Sequence, residues 1–190
     1  MNFEDVIGQS LLKTQLKQGI DSGRVPHAQL YVGKRGVGGL PIAIAYASYL
    51  TKQQSDGLGD MNTLTHPNIH FVYPVTTSEN VKSKPISSNY INEWRAFLET
   101  NPYGSINDWY SFIGVGNKQG VIGVEEASDI TSKMSLKAFN GGYKVMFIWL
   151  PEKMNLTVSN KLLKLLEEPP KGTIFILVSV IIVGIGNSFS

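Results

Sequence analysis

The stretch His27-Ala-Gln-Leu-Tyr-Val-Gly-Lys-Arg-Gly-Val-Gly-Gly-Leu40, with the Ala-rich run that follows it, constrains the fold more than any other part of the chain. Ala28 to Val32 is a short apolar run that reads as a buried strand, Gly33 to Gly39 is a glycine-rich turn, and Ile42 to Leu50 reads as a helix. The turn has the spacing of a phosphate-binding loop. In the pattern G-x-x-x-x-G-K-[ST], backbone N–H groups cradle phosphates, the Lys reaches the β/γ-phosphates and the hydroxyl holds Mg²⁺. Gly33 and Gly38 hold the two glycine positions, with Gly36 between them. The Lys position is Gly39 and the Ser/Thr position is Leu40, so the shape of the loop is kept while the point charge and the metal ligand are missing. Pro41 follows, near the first helical turn, where its missing N–H would have no partner anyway.

A second strand carries the same message. Tyr143-Lys-Val-Met-Phe-Ile-Trp-Leu150 is a continuous apolar run of the kind buried on both faces of a parallel sheet. A strand in this place of a nucleotide-hydrolysing domain ends in an acidic pair that orders Mg²⁺ and positions water. Here the two acidic positions are Trp149 and Leu150, and Glu152 lies two residues farther on, beyond Pro151. That shift and the intervening proline argue against Glu152 as a replacement.

The rest of the chain alternates helices with apolar strands. An amphipathic helix with Ser10 as N-cap and Leu11, Leu12, Leu16 and Ile20 on its apolar side ends at Gly23. Phe71 to Val75 reads as a strand, Thr76 to Ser88 as a polar loop, and Asn89 to Thr100 and Ile106 to Ile113 as helices. Tyr90, Trp94, Phe97 and Leu98 fall at helical spacing, which assigns them to the core rather than to a base-stacking platform. A helix from Glu125 to about Ala138, one from Asn155 to Glu168 with Leu162, Leu163, Leu165 and Leu166, and a strand from Thr173 to Ser179 complete the pattern. The class is α/β with a mostly parallel central sheet flanked by helices.

Composition sets the remaining bounds. A chain of 190 residues with 42% hydrophobic and 17% charged residues makes a globular domain, and a net charge of +2 announces no nucleic-acid surface by itself. There is no Cys, hence no disulfide and no thiolate zinc site. His66 and His70 lack a carboxylate cluster and read as surface or hydrogen-bonding side chains, so no metal is expected. The start has no basic and apolar leader pattern, which points to the cytoplasm and away from the membrane. Ile174 to Val183 is apolar but too short to span a bilayer. The segment Val180 to Ser190 is atypical: its first four residues have high β-propensity and no charge, a profile that favours self-association through an exposed C-terminal strand.

Together these segments resemble the delta-prime family of the bacterial DNA polymerase III clamp loader, within the AAA+ superfamily. The resemblance covers residues 3 to 179. It rests on Phe3-Glu-Asp-Val-Ile-Gly-Gln9, on His27 to Gly33 running into the loop, on His66-Pro-Asn68, and most of all on Asn160-Lys-Leu-Leu-Lys-Leu-Leu-Glu-Glu-Pro-Pro170 followed by Thr173 to Ser179. It implies an AAA+ P-loop-type core domain over 1–179, an atypical tail over 180–190, and missing lid and collar domains. It also implies a subunit without ATP hydrolysis of its own, in which Gly33, Gly36, Gly38, Gly39 and Leu40 form a degenerate P-loop, Trp149 and Leu150 a degenerate acidic strand end, and no cofactor is bound. Members usually carry a four-Cys zinc module where Thr51 to Thr65 has none, so zinc is expected to be absent. They also continue into a segment whose Arg reaches a neighbour's ATP, which this sequence stops short of.

The implied role is scaffold or stator in loading the sliding clamp. The implied partners are the other clamp-loader subunits, with the clamp and primer-template DNA contacted indirectly. The family's DNA contacts come largely from helix N-termini, here the helix start near Val124, where Glu125 and Glu126 oppose a phosphate. Two other readings compete. One is an NTPase of another kind with Lys34 or Arg35 replacing the missing Lys, disfavoured because a charge moved by four or five residues aims at a different oxygen. The other is a stand-alone interaction module.

Overall fold

The computed structural model describes residues 1–53 and 62–181. Its centre is a four-stranded parallel sheet of β1 (Ala28–Gly33), β2 (Ile69–Val72), β3 (Lys144–Trp149) and β4 (Thr173–Val180), in the order β1-β4-β3-β2. The helices are α1 (Ser10–Asp21), α2 (Gly39–Lys52), α3 (Ile91–Thr100), α4 (Ile106–Phe112), α5 (Glu126–Ser135) and α6 (Leu156–Glu167). Side chains of β3 alternate between two cores because successive residues of a strand point to opposite faces. Val145, Phe147 and Trp149 join Ile174, Ile176 and Val178 of β4 on the face covered by α2 and α3. Met146 and Ile148 join Phe175, with Ile130 of α5 and Val158 and Leu162 of α6, on the other. The α/β expectation, with a mostly parallel sheet flanked by helices, is met.

Several boundaries differ from the sequence reading, each for a physical reason. The N-cap of α1 is Gln9, not Ser10. Gln9 is left-handed at φ 56, a conformation that ends the preceding turn after Gly8 at φ 67. Leu11 is exposed, because Leu12, Leu16 and Ile20 repeat every four residues along the line that faces the core and Leu11 stands about 100° away from it. The strand β1 is not buried on both faces: Leu30 is 61% and Val32 52% exposed. Among the described residues β1 pairs only with β4, and so forms an edge of the sheet. On its inner face Gln29 donates to the Tyr46 hydroxyl at 2.6 Å and accepts from the Tyr31 hydroxyl at 2.9 Å.

The helix α2 is longer than expected, and from Leu40 to Ser48 every residue is buried, as in a helix covered on all sides. The strand β2 ends at Val72 rather than Val75. Pro74 has no N–H for the ladder, and its carbonyl accepts the indole N–H of Trp109 at 2.9 Å instead. The helix α5 stops at Ser135, three residues early. The buried amine of Lys144 donates to the carbonyls of Lys133, Met134 and Leu136 and thereby terminates it. Leu136, just past the end of α5, is 62% exposed, and Leu163 of α6 is 55% exposed, unlike Leu162 beside it, which is buried. The helix α6 begins as expected, with the Asn155 side chain accepting the Val158 N–H at 2.9 Å. Val180 still pairs, with Gly33, and the Ile181 N–H donates to the Gly33 carbonyl at 2.9 Å, so β4 runs past Ser179. Residues 182–190 of the atypical tail, and 54–61 of the segment compared with the zinc module, lie outside the described residues.

Candidate functional site

The carboxyl ends of β1, β3 and β4 open on one cleft, the position where ligands bind in open parallel sheets. It encloses about 240 Å³, and Gly33, Gly36, Gly38, Gly39, Leu40, Trp149 and Leu150 all line it. Residues about 110 positions apart in sequence, chosen from two motifs, are thus brought to one place.

The glycines differ in what they do there. Gly36 (φ 75) and Gly38 (φ 91) are left-handed, which L side chains rarely adopt. A Cβ on Gly33 would lie 2.8 Å from Cγ2 of Val37, so the loop folds onto a glycine there. Gly39 has no such need: a Cβ would meet Val178 at an ordinary 3.6 Å. It opens α2, and the next two residues, Leu40 and Pro41, are buried. The side chain at the Ser/Thr position is therefore part of the apolar core.

The strand end has a corresponding character. Trp149 is 2% exposed, and its ring centroid lies 5.1 Å from that of Trp94 and 6.4 Å from that of Phe97. These rings continue into Trp109, at 5.2 Å from Trp94, and into Tyr73, stacked on Trp94 at 4.1 Å. Leu150 is buried and left-handed at φ 58, ψ 60, an uncommon conformation for a bulky side chain. Its N–H donates to Val178 O at 2.7 Å, which holds the chain while it turns into Pro151. No acidic side chain stands at either position. Glu152 reaches the cleft, but it is exposed and its carboxylate accepts the Val180 N–H at 3.4 Å.

Lys34 and Arg35 also line the cleft on the exposed part of the loop. The field of Arg35 contributes to holding the Asp108 carboxyl below its ordinary range, after the larger effect of the hydrogen bonds from the Ser105 hydroxyl and N–H. The sequence reading missed Pro102 to Asn107, the turn between α3 and α4 with the first residues of α4, which forms one wall. The one local signal is Gly104, where a Cβ would lie 2.5 Å from Phe97 Cζ, and a lone glycine between helices does not reveal which surface its turn will meet.

The other candidates resolve as follows. His66 is buried and its Nδ1 accepts the Asn68 N–H at 3.1 Å. Asn68 in turn bonds both backbone groups of Phe139, donating at 3.0 Å and accepting at 2.6 Å, and so fixes the segment between α5 and β3. Burial pushes His70 down to about 4, with Lys133 and Lys144 adding to the effect. Among the described residues no group of three or more His, Cys, Asp or Glu could hold a metal ion, and no helix is long and apolar enough to cross a membrane. The start of α5 carries two acids in its first turn, Glu126 and Asp129, and buries Glu126 completely, with Oε2 accepting the Ser87 N–H at 2.9 Å.

Over residues 8–181 the chain matches the family model described as DNA polymerase III, delta subunit. It is 27% identical over 175 residues to DNA polymerase III subunit tau of Bacillus subtilis, covering 92% of this chain and 25% of that protein. Identity is also 27% over 175 residues to subunit tau/gamma of Haemophilus influenzae, covering 92% and 20%. To subunit delta' of Yersinia pestis it is 42% over 76 residues, covering 39% and 22%. The chain thus spans a quarter or less of the length of these curated relatives. A solved structure of a DNA polymerase III gamma subunit-related protein from Thermotoga maritima is similar at a TM-score of 0.46 and 13% identity, over 88% of this chain and 38% of that one.

Proposed function

Because the chain belongs to the DNA polymerase III, delta subunit family, a clamp-loader family, we propose that it is a non-catalytic subunit of the delta-prime type, which acts as scaffold or stator while the sliding clamp is loaded on DNA. Its partners are other clamp-loader subunits, and it meets the clamp and primer-template DNA through them. The observation that carries this reading is the double substitution of the cleft. Gly39 and the buried Leu40 stand where a phosphate-binding Lys and a Mg²⁺-binding hydroxyl are needed, and Trp149 and Leu150 send the strand end into the apolar core. Without the Lys, the metal ligand and the acidic pair, the transferred phosphoryl group has nothing to neutralise its charge. Lys34 and Arg35 do not repair this, because they precede the helix start by four or more residues and extend from the exposed side of the loop. The local 42% identity to a delta' subunit favours the delta-prime type, while the tau and tau/gamma relatives support the family as a whole.

Titration calorimetry with Mg-ATP tests the cleft, and micromolar, Mg²⁺-dependent binding refutes a non-nucleotide site. Mass spectrometry of proteins captured with the native protein tests the assembly. Clamp-loader subunits are expected in the capture, and their absence would favour a stand-alone interaction module.

A further inference from the structure

The glycine loop is held from outside by two side chains of its own chain. Gln9 Nε2 donates to the Val37 carbonyl at 3.0 Å. Tyr103, from the turn between α3 and α4, stands over Gly38, where an added Cβ would lie 3.3 Å from its Cε1. Its hydroxyl accepts the N–H of Ile7, 96 positions away, at 2.8 Å. The turn that presents Tyr103 is firmly built. The Gly104 N–H donates to Asn101 O at 2.9 Å, and the Ser105–Asp108 pair caps α4 reciprocally. Behind it Phe97 packs on Trp109 at 5.5 Å and on Trp149 at 6.4 Å. One side chain thus bridges the loop and the segment that precedes α1, from a turn whose Gly104 lies against Phe97.

We propose that Tyr103 is a positioning residue that takes the place of a ligand in this cleft. Its ring lies against the loop and its hydroxyl takes up the Ile7 N–H, so the loop and the opening segment keep a fixed relation with no nucleotide bound. The inference rests on the reading of the cleft as a non-nucleotide site and deepens it: the chain supplies from within an apolar face for the loop and a hydrogen-bond acceptor for the opening segment. A Gly-rich loop is permissive by nature, and without such a tether it would sample many conformations.

Amide hydrogen exchange on the full chain tests this. Tyr103→Phe keeps the ring and removes the acceptor; Ile7 exchange should accelerate ~3- to 10-fold, the range of one net hydrogen bond, with the loop amides of residues 36–40 unchanged. Tyr103→Ala should accelerate both Ile7 and residues 36–40, and Leu11→Ala, at an exposed position, neither. A folded Tyr103→Ala chain whose loop amides exchange at the wild-type rate overturns the proposal. If that variant does not fold, unchanged Ile7 exchange in Tyr103→Phe overturns it. Mg-ATP calorimetry on the wild-type chain judges the parent reading separately, while the exchange rates alone decide the tether.

Discussion

Replacing Glu126 with Gln should shift the balance of stability toward the variant as pH rises from about 5 to about 8. Glu126 is fully buried; Oε2 accepts the Ser87 N–H, and Oε1 has no hydrogen-bond partner among the described residues. Burial raises its pKa from 4.5 to about 7; the hydrogen bonds from Ser87 and the charge of Lys133 act against this, and Asp129 adds to it. A carboxyl raised in the folded state binds its proton more tightly there than in the unfolded chain. Its contribution is therefore fully present below the unfolded pKa and is lost as pH rises through the folded one. The interval from 4.5 to about 7, at ~1.4 kcal/mol per pH unit, corresponds to roughly 3 kcal/mol as an upper bound. Gln keeps an acceptor for Ser87 and does not titrate. Any fixed cost of its amide is the same at every pH, and His70 and Lys144 titrate alike in both chains, so the pH-dependent gap isolates Glu126. Urea unfolding followed by tryptophan fluorescence at pH 5 and pH 8 measures it. The gap should grow by roughly 2–3 kcal/mol in favour of Gln. A gap that does not change with pH, or one that grows in favour of the wild type, refutes the reasoning.

Three further outcomes are expected. The double change Gly39→Lys and Leu40→Thr should leave phosphate release from ATP at background, because Trp149 and Leu150 offer no carboxylate at the strand end to order Mg²⁺ or position water. Trp149→Asp should cost more than about 4 kcal/mol, since it combines loss of a buried aromatic with a carboxylate in an apolar cluster; circular dichroism and urea unfolding would report an unfolded or strongly weakened chain. Asn68→Ala removes both bonds to Phe139 and should lower stability by about 2 kcal/mol in the same unfolding assay, more than any substitution at exposed Leu11.

What was legible in the sequence follows from the range of the interactions concerned. The strand β3 was legible because a run of apolar residues leaves few alternatives, and the loop because glycines at fixed spacing are a local property. Tyr90, Trp94, Phe97 and Leu98 are placed in the core by their period alone. Tyr103 was not legible as part of the site, since its partner Ile7 lies 96 positions away and no pattern marks a tyrosine in a turn as a bridge. Glu126 read only as one of two acids at a helix start that oppose a phosphate, because the segment that buries it, around Ser87, reads as polar loop. Leu150 read only as a missing acid; its left-handed backbone depends on the bond to Val178, which sequence does not display. The exposed face of β1 was hidden by its composition, for Leu30 and Val32 are apolar whether or not a helix covers them.

The strand order also governs how the chain is assembled. The strand β1 is complete at Gly33, yet its partner among the described residues, β4, begins only at Thr173. At ~5–20 residues per second of synthesis, that interval leaves β1 unpaired for roughly 7–28 s. By contrast β3 and β4 are separated only by α6 and can pair as soon as both have emerged. Of the four strands, β1 therefore waits longest for its partner to be made. Because the glycine loop hangs from β1 and Val178 to Val180 of β4 line the cleft, the cleft cannot be complete until β4 has been made, and it depends on contacts of high sequence separation, the kind that slow folding.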